Sequence, residues 1–91
     1  MKIAITSLGT NRYQVSVEEN TSRTVHEVIV TADHLARYAS QGISAETLLQ
    51  ASFEFLLERE SKESILPKFD LAVIERYFPE YPKKIRERLR N

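Results

Sequence analysis

Cysteine is absent from this 91-residue chain. Disulfide frameworks and thiolate metal sites are therefore excluded. Glycine is nearly absent too, with Gly9 and Gly42 alone. Neither a phosphate-cradling P-loop nor a dinucleotide-binding glycine pattern can be written with two residues so far apart. No stretch is apolar for long enough to span a bilayer. Met1-Lys2-Ile3-Ala4-Ile5-Thr6 lacks the long apolar centre of a signal peptide. A chain this small with neither staple nor leader is expected in the cytoplasm. Net charge is missing as well: 13 basic residues balance 13 acidic ones. That balance argues against a general polyanion binder.

What is present is a change of hydrophobic period near Thr31. Before it, apolar residues alternate with polar ones, as in half-buried strands; after it they recur every three or four residues, as in helices. The expected fold class is α+β, with a three-stranded antiparallel β-meander over residues 1–30 followed by three to four α-helices over 31–91. The length makes one domain. Its 42% apolar and 29% charged residues are those of an ordinary globule. A core this thin is often completed by pairing with a second copy, so a homodimer is expected.

The strands read as follows. Ile3, Ile5 and Leu8 belong to the first, and Gly9-Thr10-Asn11 is a turn signal. In the second, Tyr13, Val15 and Val17 face one way; Arg12, Gln14, Ser16 and Glu18 face the other, toward water. Glu19-Asn20-Thr21-Ser22 turns into a third strand, from about Arg23 to Val30. Its alternation is imperfect, which fits either cover on both faces or a bulge near His26-Glu27.

The helices carry their own punctuation. Thr31 is the expected cap of a short first helix with Leu35, Tyr38 and Ala39 on its apolar side, ended by Gly42. Ser44 caps a second helix reaching about Glu60, with Ile43 and Leu48 as a hydrophobic staple. Leu48, Leu49, Ser52, Phe53, Phe55, Leu56 and Leu57 give it a broad face, and it is expected to be the spine of the core. Asp70 caps a short third helix, limited by Pro79. Pro79 and Pro82 each suit the first turn of a last helix.

Catalytic signals are sparse, and no enzyme, metal or cofactor is expected. His26 and His34 would need a third ligand, such as Glu27 or Asp33, to hold a metal. Two groups remain. Phe69, Tyr77, Phe78 and Tyr81 are candidate partner-binding aromatics, or core. Lys83, Lys84, Arg86, Arg88 and Arg90 are a candidate phosphate-contacting cluster, or the solvated face of a terminal helix. Residues 1–63 hold six basic and nine acidic side chains, while residues 64–91 hold seven and four.

One stretch carries a family likeness. Val28-Ile29-Val30-Thr31, the helix around Leu35-Ala36-Arg37-Tyr38, Gly42, and the run from Ile43 to Leu57 together resemble the ribbon-helix-helix DNA-binding regulators and antitoxins. The likeness covers about a third of the chain. It implies a strand that pairs with its copy in a dimer and reads the major groove. It also implies a second helix whose capped start lies at the DNA backbone, and a C-terminal extension that binds a toxin. Glu27 in that strand, and the lack of Lys or Arg at its centre, oppose phosphate. The leading expectation is thus a non-enzymatic interaction module that binds another protein or itself. A DNA-binding antitoxin-like regulator is the alternative.

Overall fold

A computed structural model describes residues 1–38 and 42–90. The protein is an α+β domain with a four-stranded sheet in the order β1-β2-β3-β4. Strands β1 (Lys2–Gly9), β2 (Arg12–Glu19) and β3 (Ser22–Ile29) form the antiparallel meander. The turns use Asn11 and Asn20 at φ of 62° and 58°, a conformation asparagine tolerates better than most residues.

The fourth strand revises the three-stranded expectation. β4 (Lys68–Asp70) pairs parallel to β3, with Val28 opposite Phe69. Just before it, the Glu27 N–H donates to the Pro67 carbonyl at 2.8 Å. Only Phe69 of the three strand residues is buried, so hydrophobic period had nothing to register.

The register also settles the imperfect third strand. β2 and β3 pair without interruption, so there is no bulge at His26-Glu27; the irregularity lies in β1, between Ser7 and Gly9. His26 and Val28 are buried on the core face, and Val30 is buried just beyond the strand, while Val25 is exposed on the other face. Leu8 is exposed beside the irregularity. Ser16 is buried rather than solvated, because this small side chain sits in the ladder between Ala4 and Val25.

α1 (Ala32–Ala36) starts where Thr31 Oγ1 accepts the His34 N–H at 3.1 Å. Tyr38 follows it and is buried. Ala39 lies outside the described residues. α1 ends at Ala36 with Arg37 as its C-cap, so Gly42 is not the residue that ends it; Gly42 has a φ of 67°, the left-handed region that glycine adopts freely. α2 (Ala45–Leu57) starts where Ser44 Oγ accepts the Thr47 N–H at 3.1 Å. It stops at Leu57 rather than near Glu60. Beyond it the chain tightens: the Arg59 and Glu60 N–H groups both donate to the Leu56 carbonyl, each at 2.9 Å. Its expected apolar face is buried, with Leu57 only partly so.

Two 3₁₀ turns, Lys62–Ser64 and Leu71–Val73, flank β4. Asp70 Oδ1 accepts the Ala72 N–H at 2.9 Å, the capping role its position suggests. α3 (Ile74–Tyr77) is a single turn, and α4 (Tyr81–Leu89) closes the fold against α2. Pro82 sits in the first turn of α4; Pro79 lies before it, in the link after Phe78. Among the described residues no helix is long and apolar enough to cross a membrane.

Candidate functional site

A groove of about 420 Å³ lies between the end of α2 and the segment leading through β4 into α3. Leu56, Ile65, Phe69 and Ile74 are buried and form its base. Val73 and Phe78 extend it. Leu66 and Tyr77, 47% and 68% exposed, stand at its rim. The volume falls in the range of ordinary ligand pockets.

The sheet holds one wall of this groove in place. The carbonyl of Leu66 lies 2.8 Å from His26 Nδ1, and His26 Nε2 lies 2.9 Å from Thr24 Oγ1. With the Glu27–Pro67 backbone bond, His26 ties Leu66 and Pro67 to β3. The imidazole also packs on Phe53, ring centroids 5.6 Å apart. His26 thus acts as a strut. The other wall follows from Asp70, whose cap starts the turn that delivers Val73, Ile74 and Tyr77.

The four candidate aromatics divide. Phe69, Tyr77 and Phe78 line the groove together. Tyr81 is fully buried elsewhere, edge-on to Phe55 at 5.5 Å, with its hydroxyl 2.7 Å from Ser52 Oγ. Burial holds the Tyr81 phenol well above its usual pKa. Leu56, Glu60, Ile65, Leu66, Val73 and Ile74 also belong to the groove, and the sequence marks none of them as a site residue; Leu56 is expected only as core. Leu66-Pro67 was a weak signal, an apolar residue placed just before a chain-stiffening proline.

Next to Tyr81 is a second unusual cluster. His34 is 2% exposed, stacked on Tyr81 at 6.2 Å and tilted against Tyr38 at 5.4 Å. Neither imidazole nitrogen nor the Tyr38 hydroxyl has a hydrogen-bond partner among the described residues. Burial lowers the His34 pKa, partly offset by the Glu75 charge, and burial raises that of Tyr38. His26 and His34 are thus engaged in separate clusters. Among the described residues no group of three or more His, Cys, Asp or Glu side chains could hold a metal ion.

The basic cluster on α4 is partly committed within the molecule. Arg88 pairs with Glu58, Lys84 lies 3.8 Å from Glu87, and the Arg86 guanidinium lies over the Tyr38 ring at 5.2 Å. The Arg88 hydrogen bond holds the Glu58 carboxyl below its usual pKa. Lys83 and Arg90 have no ion-pair partner among the described residues. The strand that would serve as a DNA-reading ribbon is β3, and both its edges are occupied, by β2 and β4. The chain matches no protein-family model, and no curated protein or solved structure is significantly similar to it.

Proposed function

We propose that the protein is a non-enzymatic interaction module that docks an apolar segment of another protein in the groove beside α3. The observation that carries this reading is the placement of Leu66 and Tyr77. Two large apolar side chains stand exposed at the mouth of a concavity with an apolar base. Exposed aromatic side chains such as Tyr77 are enriched among the anchors of protein interfaces. The lining offers one carboxylate and two hydroxyls, without a base and nucleophile set against each other. A photo-crosslinking benzophenone residue placed at position 77 should form an adduct with a discrete protein in the source cell. The adduct should disappear when Val73→Asp charges the groove while circular dichroism stays unchanged. Adducts that survive Val73→Asp, or none at all, would refute the reading.

Self-association is the second reading, favoured by the free edge of β1. This eight-residue strand pairs only with β2 among the described residues, and it contains one charge and no proline. Unprotected edges of this kind recruit further strands. A homodimer formed there would also cover the half-buried Ile3 and Ile5. Sedimentation at tens of micromolar should show a dimer; a clean monomer at every concentration removes the idea.

DNA binding has less support, because β3 is interior and the α4 cations are partly paired. Duplex DNA is expected to bind no tighter than about 10⁻⁴ M at physiological salt. Tight, sequence-dependent binding in a titration at two salt concentrations would reverse the preference.

A further inference from the structure

We propose that the segment docking in the groove is basic as well as apolar: a large apolar side chain with a Lys or Arg beside it, whose cation meets Glu60. This rests on the docking reading above and adds the chemistry of the partner.

Charge selects the occupant. Among the described residues, Glu60 is the only charged one lining the groove. The neighbouring carboxylates already have cations. Glu58 pairs with Arg88 and Arg59; Glu63 sits 2.6 Å from Lys62 Nζ; Glu75 is held by Arg37 at 3.1 Å, and Glu80 by Arg59 at 3.3 Å. Glu60 makes no ion pair among the described residues, although it is partly buried. Lys68 and Arg76, the cations flanking the other wall in sequence, do not line the groove, and Lys68 leans toward Glu27 at 3.8 Å. An entering anion would therefore meet repulsion and no compensating charge. An entering cation would meet a carboxylate beside apolar walls, where a charge pair is screened less than in open water.

Shape agrees with this. A groove of about 420 Å³ takes one large apolar side chain and the stem of a basic one. Lys and Arg lay their methylene stems along apolar surface while the charged head reaches a polar partner. The backbone of Glu60 is anchored beside the groove base, because its N–H donates to the carbonyl of Leu56, which is part of that base.

Three capped dipeptides test the idea by amide NMR shifts at Ser64–Leu66 and Val73–Phe78: acetyl-Phe-Lys-amide, acetyl-Phe-norleucine-amide and acetyl-Phe-Glu-amide. The Lys peptide should bind about tenfold tighter than the Glu peptide, with norleucine between, a spread expected of one charge-assisted contact. Glu60→Gln should bring the Lys peptide down to the norleucine value and leave the norleucine peptide unchanged. Equal affinity for the Lys and norleucine peptides would overturn the cation inference while leaving docking intact. A preference for the Glu peptide would overturn it outright. Binding of 3-phenylpropylamine without any of the peptides would reassign the groove to a small amine. No shift with any probe would defeat the docking reading itself.

Discussion

His34 is an imidazole enclosed by Tyr38 and Tyr81, and its charge state is tied to folding. Burial disfavours the imidazolium more than the Glu75 and Asp70 charges favour it, and Arg37 adds to the penalty. The unfolded chain takes up this proton near pH 6.5, whereas the folded chain resists it to lower pH. The contribution is therefore fully present above about pH 6.5 and is lost as the pH falls through that value toward the folded-state pKa. Urea unfolding at pH 7.5 and pH 5 should show this slope, and His34→Phe should flatten it. An equal slope in both proteins would exclude His34 as the cause. Ser52 and Tyr81 give a second, asymmetric pair. Ser52 Oγ donates to the Leu48 carbonyl at 2.7 Å, which leaves its oxygen to accept from the Tyr81 hydroxyl. Tyr81→Phe removes one hydrogen bond and should cost about 1 kcal/mol. Ser52→Ala strands a buried phenol and should cost more, about 1–3 kcal/mol. Denaturant midpoints that reverse this order would contradict the bonding scheme.

α2 is the element on which the others depend. Phe53 is fully buried on it, with its ring against His26 and 6.2 Å from Phe69. Phe53→Ala should cost about 3–5 kcal/mol. Domains of this size have little more in reserve, so the variant should be largely unfolded; an unchanged melting temperature would count against the assignment. α4 is held differently, by Ile85 and Tyr81 inside and by ion pairs outside. Glu58→Gln loosens the exposed ties to Arg88 and Arg59 and should cost less than about 1 kcal/mol at low salt, vanishing at high salt. Much of this arrangement was legible. The strands of the meander announce themselves by alternation around Val15 and Val17, and α1 and α2 by caps at Thr31 and Ser44; Asp70 caps the 3₁₀ turn that leads into α3. β4 was not legible, because Lys68 and Asp70 are polar and the partner strand is remote in sequence. The groove was half legible. Phe69, Tyr77 and Phe78 stood out as aromatics, but Tyr81 carries the same signal and belongs to the core. Only the packing of α4 on α2 separates them, and no local pattern encodes that. Glu60 sits in a charged run, Glu58-Arg59-Glu60-Ser61-Lys62-Glu63, that marks it no differently from its neighbours, because its uncharged surroundings come from residues 64–78.

Across the whole molecule the sheet has two unlike margins. β1 ends it with a long open edge, while β4 ends it with three residues set against β3 from the far side of α1 and α2. That parallel pairing has a kinetic consequence. The meander closes through tight turns, so its ladders form between near neighbours. β4 can dock only after the chain between Ile29 and Lys68 has been gathered in, and such distant contacts form late. The same seam is expected to open first in local unfolding. Hydrogen exchange should therefore find the β2 amides that bond β3 slow, and the Glu27 amide, which bonds Pro67 across the late seam, measurably faster. If that ordering holds, the wall of the groove breathes on a timescale of its own, and guest capture is limited by seam closure as well as by encounter.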